Sequence, residues 1–339
     1  MRRILRTRPV SLVRSIFILV LAAAALAWSA GASRASRVVE NLYGAKLLDA
    51  QNGYVVGAFG AIFRTSDGGK TWEAQRTPTQ DYLFSVDFAD ESHGVAVGKA
   101  GTVLLTDDGG KTWTKKDSGT DRNLFSVMFA APQHVWAVGD WGAVIESKDG
   151  GGTWATRSLK DDVVLTSQSW PDEQHGFLAG EFGTIEATSD GGATFEKAGT
   201  GTDKTLFGVA FTTPQKGWAV GIDGLVIRTT DGAKTWQVQR GRLDVQSLET
   251  LGFMEAMRNP GLYDVRFSDR YGYIVGDTGM ILVSADGGET WQEKKLPAEL
   301  SLLWLRGAAT TKGDRALVVG ADGLTVTAEK DQITLKHGG

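Results

Sequence analysis

The sequence predicts an all-β fold, a seven-bladed β-propeller of four-stranded antiparallel blades, from three observations. The first is a recurring octet: TSDGGKTW at 65–72, TDDGGKTW at 106–113, SKDGGGTW at 147–154, TSDGGATF at 188–195, TTDGAKTW at 229–236 and SADGGETW at 284–291. Its third-position aspartates Asp67, Asp108, Asp149, Asp190 and Asp231 follow one another at intervals of 41 residues, and Asp286 comes after 55. A fixed period of this size marks a solenoid, propeller or array. The second observation is a small or aliphatic residue followed by Gly-x-x-Gly, which occurs seven times from VGAFG at 56–60 to VGADG at 319–323. The third is the content of one unit. Residues 83–118 read as four short β-branched and aromatic runs separated by Gly-rich turns: strands A (83–88), B (94–98), C (102–106) and D (112–116). Four such strands repeated around an axis leave only short, protected edges.

Each element has a local reason. Aspartate at the C–D hairpin accepts backbone N–H bonds, the following Gly supplies positive φ, and Thr-Trp begins a strand whose ring packs between blades. The six octet aspartates therefore read as structural. A first strand A falls near 42–47 and a last strand D near 333–336, where LTVTAEKDQITL carries no octet and the repeat is degenerate, as terminal repeats are. Two ring closures remain open: whole blades, or a terminal strand lent across the seam.

The first 32 residues differ from the rest. Arg2, Arg3, Arg6, Arg8 and Arg14 precede an apolar stretch at 16–28 and a small-x-small Ala30-Gly31-Ala32, the order of a secretory signal peptide. An uncleaved N-terminal anchor is the competing reading. Residues 33–41 are then a linker and 42–339 the propeller. Export permits disulfides, but the chain has no Cys, so blade burial alone must hold the fold. Removing 1–32 takes five arginines and no acid, which moves the net charge from −4 to −9. An acidic chain without a basic, aromatic-interleaved stripe does not point to nucleic acid.

No nucleophile elbow, P-loop or dinucleotide fingerprint occurs. His93, His134 and His175 repeat at 41 residues in successive A–B turns, and Lys216 takes the next slot. Equivalent positions in different blades lie apart, so no metal or other cofactor is expected. A search for paired carboxylates is uninformative with 40 acidic residues.

Partner recognition must use positions where blades differ. Antiparallel strands put the A–B and C–D turns on one face and the B–C and D–A connections on the other. The B–C turns carry Phe59, Lys99, Asp140, Trp141, Glu181, Phe182, Asp223 and Asp277, whose aromatics either anchor a contact surface or pack back on one another. Strand D ends in basic residues in most blades, which either guard an outer edge or form a basic rim. The extra 14 residues after Trp236 fall on the same B–C/D–A face. Leu248, Leu251, Met254 and Met257 recur there every third residue before Asn259-Pro260-Gly261, which predicts a short amphipathic helical insertion near 243–259.

The octet is the Asp-box, or bacterial neuraminidase repeat. Joined to VGxxG and LFSV-type strands in an exported, cysteine-free single propeller, it closely resembles the photosystem II stability and assembly factor family over the whole chain after residue 32. That resemblance implies a non-catalytic assembly factor that binds reaction-centre precursor proteins at the lumenal side of a membrane, partly through an Arg-rich patch. Arg122, Arg157, Arg240 and Arg242 are the residues here that would contribute, although no clustered Arg motif matches residue by residue. The family also has bacterial members outside phototrophs, some associated with membrane transport systems. Sialidases and certain xyloglucan-cleaving hydrolases share the Asp-box, but the Arg-Ile-Pro segment of the first is absent and the second set their carboxylates between two propellers. The expected protein is a non-enzymatic scaffold, monomeric alone, with a membrane-protein partner. A subunit of a membrane transport complex and a glycan-binding or glycan-cleaving propeller are the alternatives.

Overall fold

The computed structural model describes residues 38–242, 259–294 and 296–336; the leader at 1–32, Met254, Met257 and nearly all of the predicted helical insertion lie outside them. Seven sheets of four strands follow one another, each built from consecutive strands in the order A, B, C, D. Blade 2 illustrates the pattern: Leu83–Phe88, Gly94–Gly98, Val103–Thr106 and Thr114–Lys116, all paired antiparallel. Strands C and D start one and two residues later than the periodicity suggests, because Thr102 closes the B–C turn and Thr112 is bonded into the octet turn.

The ring closes with whole blades. Blade 1 begins with Leu42–Leu47 and blade 7 ends with Gln332–Lys336, and neither lends a strand to the other. The seam is instead apolar, with Leu47, Val55, Phe63 and Trp72 of blade 1 buried against Ala309, Leu317 and Val319 of blade 7. Arg315 stitches it by donating to Ala50 O and, at 2.6 Å, to Gly68 O. Asn41 Oδ1 accepts the Asp322 N–H at 3.0 Å.

The same sandwiching recurs around the ring, and burial of this apolar surface supplies the main stabilising term. Trp113 lies with Tyr54, Val56 and Ile62 of the preceding blade, as expected for an octet ring. Strand B adds a second set of aromatics that the repeat did not reveal. Tyr54 and Trp218, both fully buried, reach the octet turn of the next blade and donate to Gly109 O (2.8 Å) and Gly288 O (3.0 Å). Tyr273 donates to Lys330 O at 2.8 Å in the degenerate blade 7. Around the inner ring, strand A side chains cap the next blade's strand A. Asp87 Oδ2 accepts Phe129 N–H, Ser169 Oγ accepts Phe211 N–H, and Asp264 Oδ2 accepts Ala308 N–H, each at 2.8–2.9 Å.

The octet turn is a closed hydrogen-bond circuit. In blade 3, Asp149 Oδ1 accepts the Ser147 hydroxyl (2.8 Å) and the Thr153 N–H (2.9 Å), Oδ2 accepts the Thr153 hydroxyl (2.7 Å), and Ser147 Oγ accepts Gly151 N–H (2.8 Å). The Ser or Thr two residues ahead of the aspartate is thus part of the motif, a role the sequence reading had not assigned. These donors, the Thr153 N–H foremost, hold the Asp149 carboxyl at about 2. A folded-state value below the ordinary 3.9 or so means the contribution is complete above about pH 4 and lost as pH falls towards 2. Asp149→Ala should lower stability by about 1 kcal/mol at neutral pH. The difference in Tm from the parent protein should shrink between pH 4 and pH 2, and a difference independent of pH would contradict the circuit.

Candidate partner-binding face

The B–C turns share one geometry. In blade 1, Ala61 N–H bonds to Ala58 O at 3.1 Å across Phe59 (φ 56°) and Gly60 (φ 71°). Positive φ at both central residues defines the I′ hairpin turn, which favours Asn-Gly and Asp-Gly. Blades 5 and 7 follow that preference with Asp223-Gly224 and Asp322-Gly323, whereas blades 1, 3 and 4 place Phe59, Trp141 and Phe182 at the left-handed position (φ 55–57°). A bulky side chain there is a conformational outlier.

These aromatics do not fold over the ring mouth onto each other. Phe59, Trp141 and Phe182 are 67%, 58% and 67% exposed, and among the described residues only Phe59 meets another ring, edge-on to Tyr82 at 5.5 Å. The turn acids have local tasks instead. Asp140 accepts from Asn123 Nδ2 (2.7 Å), Glu181 from the Val164 N–H (3.2 Å) and Asp277 from the Tyr263 hydroxyl (2.7 Å), while Asp223 pairs with buried Lys204 at 3.0 Å. Lys99 is exposed.

Of the four arginines, Arg122 donates to Trp141 O and Arg240 to Gly224 O (3.4 Å), so both stand at B–C turns. Arg157 turns to the blade flank, where its Nε lies 2.9 Å from the buried Glu146 carboxylate, which also holds His134 at 2.8 Å. Arg242 is exposed at the end of a described stretch. On the opposite face, His93 and His175 each pair within their own A–B turn, with Asp90 and Asp172 at 2.9 Å.

A second group of residues on this face is missing from the sequence reading. Strand A carries a β-bulge in every blade, with the register slipping across its second residue: Tyr43, Phe84, Phe125, Thr166, Phe207, Tyr263 and Arg306. A bulge re-aims the extra side chain. All seven residues line one central cavity of about 1020 Å³, and each lies at the start of strand A, on the B–C side. Five of the seven are aromatic, and neighbours touch: Tyr43 and Phe84 at 5.7 Å, Phe84 and Phe125 at 5.3 Å, Phe207 and Tyr263 at 5.2 Å, with Trp304 stacked on Tyr43. The available signal was the aromatic after the first Leu of five of the seven strands A, which reads as ordinary strand composition unless the bulge is known. Deeper in the channel, Lys46 pairs with Asp87 (2.5 Å) and Arg266 with Asp264 (3.2 Å). Burial pushes the Asp264 carboxyl up, opposed by Arg266 and two backbone N–H groups.

Among the described residues no helix is long and apolar enough to cross a membrane. No curated protein matches the chain. The model of the photosynthesis system II assembly factor YCF48 family matches residues 74–123 and 253–332. Among solved structures, YCF48 bound to D1 peptide is similar, with a TM-score of 0.69 and 19% identity over 88% of this chain and 96% of that one. YCF48 from Cyanidioschyzon merolae follows with a TM-score of 0.65 and 19% identity over 86% and 96%. PorZ, a component of the Porphyromonas gingivalis type IX secretion system, superposes with a TM-score of 0.63 and 11% identity over 89% of this chain and 39% of its own. Family model and fold together support the assembly-factor-like family recognised in the repeats.

Proposed function

We propose that this chain, a propeller of the photosystem II assembly factor-like family, is an exported, non-enzymatic scaffold that binds a membrane-protein partner through its B–C/D–A face. One observation carries the choice of face. Among the described residues, Val39, Phe59, Tyr82, Trp141, Phe182, Ile222 and Leu302 are exposed large apolar side chains on B–C turns or on the segments that lead into strand A, and Val238 on a strand D is the eighth. Among the same described residues the face of octet turns has none. Exposed apolar side chains gathered on one side mark an interaction surface, and aromatic residues are enriched at such surfaces. The bound D1 peptide in one similar structure supports a protein segment as the ligand class, and the family resemblance supports its membrane origin.

The test is capture from native membranes with the tagged protein. A membrane-protein subunit retained by the parent and lost with Trp141→Asn, but kept with His93→Ala, is the expected result. Recovery of polysaccharide alone would overturn the proposal. The export half of the proposal rests on the Arg-rich, apolar and Ala-Gly-Ala order of residues 1–32. Intact-mass measurement on protein from the cell envelope should give a chain starting near Ser33, and retention of Met1 through Ala32 would establish an anchor instead.

A further inference from the structure

The mouth of the central channel has two chemically related halves, and among the described residues a cation stands over the rings of only one. On blades 5 to 7 the Arg306 guanidinium stands 4.1 Å over the Tyr263 ring and 6.0 Å from that of Phe207. The Tyr263 hydroxyl bonds in turn to Asp277 Oδ2 at 2.7 Å. A cation is thus held on an aromatic face with a carboxylate behind it. On blades 1 to 4 the collar continues with half-buried Tyr43, Phe84 and Phe125, and Glu181 lines the same cavity. No cation of the described residues lies over those three rings.

Charge indicates what the open half receives. The cavity lining carries Asp87, Glu181, Asp264, Asp269 and Asp277 against Lys46, Arg266 and Arg306. Lys46 and Arg266 are already matched by Asp87 and Asp264, and Arg306 is engaged with two rings. An excess of carboxylate in a concave, partly apolar site attracts cations and repels acids. We infer that the Phe84 and Phe125 part of the collar, flanked by Tyr43 whose ring is stacked on Trp304 and Tyr82, receives a basic side chain of the partner, an Arg or Lys on an extended apolar segment, as Arg306 is received by Tyr263. The inference rests on the partner-binding reading of this face. An acidic chain end fits the charge less well. A sugar ring stacks on a flat platform, whereas Tyr43 with Phe84 and Phe84 with Phe125 meet at 61° and 46° and form a wall.

The probe is a fluorescein-labelled, amidated peptide Gly-Leu-X-Leu-Gly with X as Arg, Leu or Glu, titrated against the full chain by anisotropy. The Arg peptide should bind about tenfold more tightly than the Leu peptide, the scale of a partly desolvated cation–π contact, and the Glu peptide more weakly than either. Phe125→Leu and Glu181→Gln should each cut that preference to about threefold or less with Tm unchanged; the Gln keeps the oxygen that accepts the Val164 N–H. Tighter binding of the Glu peptide, an Arg preference that survives both variants, or no binding by any peptide would overturn the inference. Tight binding of an acidic oligosaccharide that competes with the Arg peptide would do the same. Membrane capture separates this failure from that of the wider reading. A collar variant that still captures the partner leaves the face intact, whereas a parent protein that captures no membrane protein removes the face itself.

Discussion

Trp141→Asn should raise the Tm of the propeller by about 2 °C and weaken its membrane partner by about thirtyfold or more. The two effects have separate causes. Trp141 occupies φ 57° in a turn where blades 5 and 7 have Asp, and the left-handed region costs an ordinary L-residue about 1–2 kcal/mol, less for Asn or Asp. Relief of about half of that strain is the expected gain in stability. Little packing opposes it, since the indole is 58% exposed and makes no ring contact among the described residues. The Arg122 bond goes to the Trp141 carbonyl, which Asn retains. The strain therefore serves no visible purpose among the described residues, and the interface role proposed for Trp141 gives it one. Differential scanning calorimetry and affinity measurement on the same variant decide the matter. Lower stability with unchanged affinity would return Trp141 to the scaffold.

Blade number and strand order were legible because a repeat must satisfy the same packing seven times, so its period and Gly positions are written into the chain at fixed offsets. The strand A and B limits of blade 2 fall where alternation placed them. Ring closure was not legible, since strands near 42–47 and 333–336 are needed equally by whole blades and by a lent strand. What decides it is the packing of Leu47 and Trp72 on Leu317, a contact between residues 245 or more apart in sequence. The B–C turn residues were identified as the variable positions, but φ at Phe59, Trp141 and Phe182 is a tertiary fact that Gly-x-x-Gly spacing does not state. The collar was hidden for a related reason. Strict alternation assigns Phe84 and Ser85 to opposite sides of a strand, yet both are half-buried because the bulge between Leu83 and Ser85 turns Phe84 into the channel mouth.

Gly139→Ala, two residues from Trp141, should act in the opposite sense and cost about 3 kcal/mol or more. Gly139 has extended backbone at φ −171°, which any residue adopts, so the penalty is steric. A Cβ there would lie 1.8 Å from Asn123 O, and that carbonyl is pinned by the Asp140 N–H at 3.0 Å. The obstacle is backbone on both sides, with no side-chain rotamer available to yield. The equivalent Gly57, Gly98, Gly180, Gly221, Gly276 and Gly320 all face the carbonyl of the residue preceding strand A at 2.0–2.2 Å. This close approach is the physical reason for the first Gly of the repeated Gly-x-x-Gly. It ties each B–C turn to the start of strand A, and so sets the height of the turn above the channel mouth. Urea denaturation should show a lower midpoint for Gly139→Ala at unchanged m-value. Partner affinity should then fall only to the extent that protein unfolds, and return on cooling or with a compensating stabiliser. A lower midpoint with affinity lost even in fully folded protein would mean that Trp141 is displaced along with the backbone, and a midpoint within experimental error of the parent would refute the steric account.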